Sequence, residues 1–115
     1  FNAKNEYWIA ENTLALATNN ISGTAVVNAS SFVRIGNGGH GMLNLSGGSF
    51  NQTGGDPFIV GISGGTGNYN QSGGFLTSSA YLDIADGSTG NATISSGTAN
   101  FAGDIWVGQN GGVVK

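Results

Sequence analysis

The chain has no cysteine, one proline, one histidine and few charges, with three basic and six acidic residues among 115. Without cysteine there is no disulfide framework and no thiolate metal site, and the redox compartment stays open. The cations are Lys4, Arg34 and Lys115, and the net charge is −3. Nothing here neutralises a phosphate backbone, which argues against nucleic acid and, on the same ground, against anionic membrane surfaces. No apolar run approaches the roughly 18 residues that membrane insertion needs. The start carries no signal-peptide pattern and begins at Phe1, which reads as a processed chain or a fragment. The shortage of charge and proline also separates the chain from disordered polymers, which are poor in apolar residues, whereas 38% of this one is hydrophobic.

What is abundant is glycine, at 22 residues. Glycine costs backbone entropy in helices and long strands, so such a content belongs to closely spaced turns. A four-residue pattern of apolar, any, apolar, then Gly or Ala recurs as Tyr7-Trp8-Ile9-Ala10, Val33-Arg34-Ile35-Gly36, Phe58-Ile59-Val60-Gly61, Leu82-Asp83-Ile84-Ala85 and Ile105-Trp106-Val107-Gly108. Its starts are 26, 25, 24 and 23 residues apart. A second element, Asn20-Ile21-Ser22, Asn44-Leu45-Ser46, Asn70-Gln71-Ser72 and Thr93-Ile94-Ser95, keeps the same rhythm. After it come a glycine turn and a looser apolar stretch, as at Ala25 to Val27, Phe50, Phe75 to Leu76 and Ala99 to Phe101. Each repeat thus predicts three short strands.

Alternate residues of a strand face opposite ways. The outer columns of the first pattern, Tyr7, Val33, Phe58, Leu82, Ile105 and Ile9, Ile35, Val60, Ile84, Val107, are wholly apolar and line a core. The middle column, Trp8, Arg34, Ile59, Asp83 and Trp106, is a mixture that only solvent or a partner tolerates. Helical repeats are longer than this period and a propeller blade needs about 40 residues. The expectation is one all-β domain over 1–115: a right-handed parallel β-helix of about 4.5 coils, with repeats near 7–32, 33–57, 58–81, 82–104 and a partial 105–115. Residues 5–17 also suit a capping helix, but their match to the last repeat favours a coil.

The phrases Ile35-Gly36-Asn37-Gly38-Gly39-His40-Gly41, Leu45-Ser46-Gly47-Gly48 and Val60-Gly61-Ile62-Ser63-Gly64-Gly65-Thr66-Gly67 resemble the short repeats of autotransporter passenger domains and PEP-CTERM-associated bacterial surface proteins. The resemblance implies a secreted bacterial β-solenoid, extracellular or on the cell surface, with no catalytic residues to carry over. Thr13 to Thr18 depart from it in lacking glycine.

Chemistry is thin. Asp83 and Asp104 form the best acid pair, outward on adjacent coils and roughly 8 Å apart from strand spacings. That lies inside the range of about 6.5–9.5 Å used by inverting glycosidases. A working site also needs a cleft and further charges, and Arg34 is the one cation nearby, so solvated acids are the preferred reading. His40, in a glycine turn without carboxylates, is read as an exposed turn residue rather than a metal ligand. The Asp of calcium-binding nonapeptides and the Lys-Ser/Thr of phosphate loops are missing, so no cofactor is expected. Asn20, Asn44, Asn70 and Thr93 make a polar ladder whose amides hydrogen-bond from coil to coil. Gln71 shares a column with Ile21, Leu45 and Ile94, and needs a partner if it points inward.

No capping element is evident in the sequence, and Trp8 and Trp106 share a column in the first and last coils. These features predict a non-catalytic structural subunit of an extracellular fibre or surface layer, a head-to-tail homopolymer whose junction uses Tyr7, Trp8, Ile105, Trp106 and Val107. An adhesin or glycan-binding module is the alternative, and a polysaccharide-cleaving enzyme the third reading.

Overall fold

The computed structural model describes residues 1–115. A short strand, β1 (Asn2–Ala3), precedes a first coil of β2 (Tyr7–Ile9), β3 (Leu16–Ile21) and β4 (Val26–Ala29). The second coil holds β5 (Val33–Asn37), β6 (His40–Leu45) and β7 (Ser49–Gln52). The third and fourth consist of β8 (Phe58–Ile62) with β9 (Thr66–Ser78), and β10 (Leu82–Asp86) with β11 (Thr89–Phe101). A fifth begins with β12 (Ile105–Val107), a single 3-10 turn at Gln109–Gly111, and β13 (Val113–Val114).

Every strand pairing is parallel. One five-stranded sheet runs β2, β5, β8, β10, β12, and the remaining eight strands form the second sheet. The chain is therefore a parallel β-solenoid of about five coils, each lying on the one before. The three expected strands per coil appear separately in the first two coils. In the third and fourth, the second and third strands run together as β9 and β11. The ladder slips between Ile94 and Ser96, so Ser72 pairs with Ser96 rather than with Ser95, and the expected serine column breaks there. The extra residue is a bulge, which the sequence rhythm alone does not reveal.

The fourth position of the repeat explains why each first strand stops. Ala10, Gly36, Gly61, Ala85 and Gly108 all adopt positive φ, at 61°, 73°, 84°, 67° and 72°. This corner turns the chain toward its second strand. At Gly36 a Cβ would stand 2.2 Å from the carbonyl oxygen of Thr66, so the coil above leaves room only for glycine. Ala10 occupies the same corner, and Tyr7–Ile9 is a strand, so residues 5–17 begin a coil and contain no helix.

Stacking converts the columns into a continuous core. Val33, Ile35, Leu43, Leu45, Phe50, Phe58, Val60, Tyr69 and Leu76 are fully buried. Aromatic rings run through it edge to face: Tyr7 to Phe50 at 5.2 Å, Phe50 to Phe58 at 5.9 Å, Phe58 to Tyr69 at 5.7 Å and Phe58 to Phe101 at 5.7 Å. Such T-shaped pairs contribute about 0.5–1.5 kcal/mol each beyond their buried area. Two glutamines are also inside. Gln71 accepts from Tyr69 Oη at 2.6 Å and donates to the carbonyls of Thr98 at 2.9 Å and Gly74 at 3.3 Å. Gln52 donates to the carbonyls of Ser31 and Asp56 and accepts from Ser78 Oγ. Both amides are thus satisfied at corners where the backbone leaves carbonyls unpaired.

Candidate functional site

The outward face of the five-stranded sheet gathers the side chains with most chemistry. Register stacks Trp8, Arg34, Ile59, Asp83 and Trp106 in one column, each directly above the last. Two residues earlier in each coil stand Glu6, Phe32, Pro57, Tyr81 and Asp104, and the carbonyls of the last four accept from first-strand amides of the preceding coil. The two columns interlock. The Arg34 guanidinium lies 4.3 Å from the Phe32 ring centroid and 5.1 Å from that of Trp8, and reaches Glu6 Oε2 at 3.7 Å. Tyr81 and Trp106 pack with centroids 4.5 Å apart.

This packing corrects the expectation that the middle column is open to solvent. Ile59 is only 4% exposed and Asp83 only 3%. In the column Ile59 stacks between Arg34 and Asp83, and Asp83 between Ile59 and Trp106, so each has one larger side chain directly beside it. Burial pushes the Asp83 carboxyl above the usual carboxylate range, and the nearby charge of Asp86 adds to this. Three polar atoms of the strip, Trp8 Nε1, Arg34 Nε and Asp83 Oδ1, are buried without a partner.

The expected acid pair is separated by environment. Asp83 is recessed while Asp104 is exposed, with its carbonyl accepting from the Leu82 amide at 3.0 Å. Neither lines any of the three surface hollows. His40 is exposed at the start of β6 beside a hollow shared with Leu16, Met42 and Asn68.

The polar ladder stands where the rhythm places it. Asn20, Asn44, Asn70 and Thr93 are in register, with Asn44 Nδ2 donating to Asn20 Oδ1 at 2.8 Å and Asn70 Nδ2 to Asn44 Oδ1 at 3.0 Å. A second ladder went unread in the sequence. Asn28 Nδ2 donates to Asn2 Oδ1 at 2.7 Å and Asn51 Nδ2 to Asn28 Oδ1 at 2.9 Å, with Thr77 and Asn100 continuing the column. Its spacings match the period, but the loose third element offers no apolar frame against which to align it.

The core columns run out to the last coil, where they are bare. Ile105 and Val107 are 60% and 59% exposed, whereas Ile84, one coil earlier, is 8% exposed. Ile94, Val113 and Val114 are exposed at the same end. At the other end Tyr7 lies in the core, where its column places it. Tyr7 is buried, with Phe1 edge-on at 6.1 Å and Asn19 Nδ2 donating to its hydroxyl. Phe1, Tyr7, Trp8, Asn19, Ile21 and Val27 surround a hollow of about 540 Å³ there. No family model, curated protein or solved structure matches the chain.

Proposed function

We propose that the chain is a non-catalytic structural segment of a secreted fibre or surface layer, in which successive copies stack head to tail. The observation that carries this reading is the register itself, since the core columns and the asparagine ladder repeat from coil to coil and a further coil adds to the stack with the same contacts. Ile105 and Val107 are in core register yet exposed, so a further strand laid on β12 would bury them as β12 buries Ile84.

Extending the observed register by one coil places Tyr7, Trp8 and Ile9 of the next copy over Ile105, Trp106 and Val107. The next copy's β1 then takes the third-strand position above Ala99 to Phe101. Its Phe1 meets Ala99, its Asn2 continues the ladder at Asn100 and its Ala3 meets Phe101, so large faces small twice. Fully burying an aliphatic side chain contributes about 1.5–3 kcal/mol, and Ile105, Val107 and Val114, facing inward and already about half covered, give roughly 2–5 kcal/mol together. Association costs an estimated 4–15 kcal/mol. The gain reaches only the low end of that cost, which makes assembly dependent on concentration.

The test is electron microscopy of the purified chain over a concentration series, alongside Ile105→Lys. Filaments one solenoid wide that the substitution shortens support the reading. Monodisperse particles at every concentration, or filaments indifferent to Ile105→Lys, overturn it.

A further inference from the structure

The outward strip has an internal symmetry. Along the solenoid axis its main column reads Trp8, Arg34, Ile59, Asp83, Trp106, and its flanking column Glu6, Phe32, Pro57, Tyr81, Asp104. About the third coil, tryptophan mirrors tryptophan, phenylalanine mirrors tyrosine, and the acids lie at both ends. One pair alone inverts its sign: Arg34 mirrors Asp83.

We propose that this strip is a self-complementary surface on which a second copy of the chain docks side by side and antiparallel, about a two-fold axis through the third coil. In that arrangement Trp8 meets the partner's Trp106, Phe32 meets the partner's Tyr81, Pro57 meets the partner's Pro57, and Arg34 meets the partner's Asp83. Symmetry makes each of the unlike contacts twice.

Charge selects the orientation. A parallel pairing sets Arg34 on Arg34 and Asp83 on Asp83, whereas the antiparallel one brings opposite charges together at both positions. Within one copy the two lie two coils apart, about 9.6 Å at strand spacing, too far for a direct ion pair. Both retain unused bonding capacity. Arg34 has its single carboxylate at 3.7 Å and an unpartnered Nε, and Asp83 Oδ1 is unpartnered as well.

The guanidinium already rests against two rings, so little freedom is lost when it binds a carboxylate. Asp83 is recessed, and Trp106, more exposed and on the bare last coil, is the wall that turns aside to admit the incoming arginine. Glu6 approaches the partner's Asp104 at the rim, where Arg34 and solvent offset the repulsion. The strip also has the composition of interface anchors, since it carries both tryptophans and the only arginine of the chain.

The absence of cysteine makes crosslinking a clean test. The background is Ile105→Lys, which blocks end-to-end stacking, so the outcome does not depend on the fibre reading. Pro57→Cys, next to the axis, should give a covalent dimer under mild oxidation. Phe32→Cys and Tyr81→Cys chains should stay single alone and crosslink when mixed, which keeps the test alive if Pro57→Cys does not fold. Sedimentation equilibrium should show a dimer whose dissociation constant rises at least about thirtyfold in Arg34→Gln. A monomer at all concentrations, crosslinking of Phe32→Cys with itself, or a dimer indifferent to Arg34→Gln overturns the proposal. So does a monomer whose tryptophan fluorescence responds to neutral polysaccharide, which would make the strip a glycan site.

Discussion

Replacing Gln71 by leucine tests whether the core tolerates this amide or depends on it. Leucine is what the column prefers, since Ile21, Leu45 and Ile94 share the position. A simple hydrophobic argument therefore predicts stabilisation. The hydrogen bonds predict the opposite. The substitution leaves the Tyr69 hydroxyl, fully buried, without its acceptor, and takes a donor from the Thr98 carbonyl. Each stranded group costs about 1–3 kcal/mol, or roughly 2–6 kcal/mol together. The leucine side chain returns at most about 1.5–3 kcal/mol. A net loss of about 1–2 kcal/mol is expected.

Tyr69→Phe alone strands Gln71 Oε1 and should cost a similar amount. Making both changes removes donor and acceptor together, so the double variant should be more stable than the sum of the singles by about 1–3 kcal/mol. Urea denaturation of the four chains, with m checked for constancy, measures the coupling. Additive effects, or a Gln71→Leu chain more stable than the parent, would refute the claim that Tyr69 and Gln71 act as a unit.

Other consequences follow the same geometry. Gly61 and Gly64 share a positive φ, 84° and 77°, but a Cβ at Gly61 would stand 2.1 Å from the Thr89 carbonyl while one at Gly64 meets nothing. Gly64→Ala should cost about 1–2 kcal/mol of backbone strain and Gly61→Ala distinctly more, so equal denaturation midpoints would refute the steric account. Burial raises the pKa of Asp83, so the folded chain binds its proton more tightly than the unfolded one. Its stabilising contribution is complete below about pH 4 and is lost as pH rises through the raised folded value. Asp83→Asn should flatten that decline in melting temperature with pH, and an unchanged pH profile would show that Asp83 is not the group responsible. Ile84→Ala should cost about 2–5 kcal/mol in the isolated chain and Ile105→Ala under about 1 kcal/mol, because only the first is covered. Losses of equal size in the monomer would mean that the last coil is not bare.

The architecture was legible because a solenoid writes each contact locally. A residue touches its equivalent one period away, so column identity read from the sequence is also the contact list. Val33, Ile35, Phe58 and Val60 needed no tertiary knowledge to be assigned inward, and the asparagines at 20, 44 and 70 needed only the period. Legibility failed where contacts leave the column. The bulge near Ser95 changes the count within one coil without changing the period, so the rhythm hides it. The inward asparagine Asn19 occupies the column of Leu43 and Tyr69, and its bond to the Tyr7 hydroxyl crosses between sheets. Asp83 is buried on an outward position, which the alternation of inward and outward residues does not encode.

The two outward faces thus use different means to settle the same problem. Over the second sheet, short amides repeat and satisfy one another from coil to coil, leaving nothing for a partner to supply. Over the first, the column changes identity at each coil, and large rings take the place of repeated hydrogen bonds. A column of unlike residues cannot form a ladder, which is why Arg34 Nε, Trp8 Nε1 and Asp83 Oδ1 remain unpaired together on one face. If that variety were only drift, the unpaired atoms should be scattered over both faces. Their confinement to one strip, with opposite charges equidistant from its centre, is what makes this face the one to perturb. Arg34→Gln and Asn44→Ala offer the comparison. Both remove one polar group midway along a column, but the first should alter association with little effect on folding, and the second should cost about 1 kcal/mol in folding with none on association. Sedimentation and denaturation of the same two proteins measure both, and a reversed pattern would mean that the ladder, not the strip, is the interacting face.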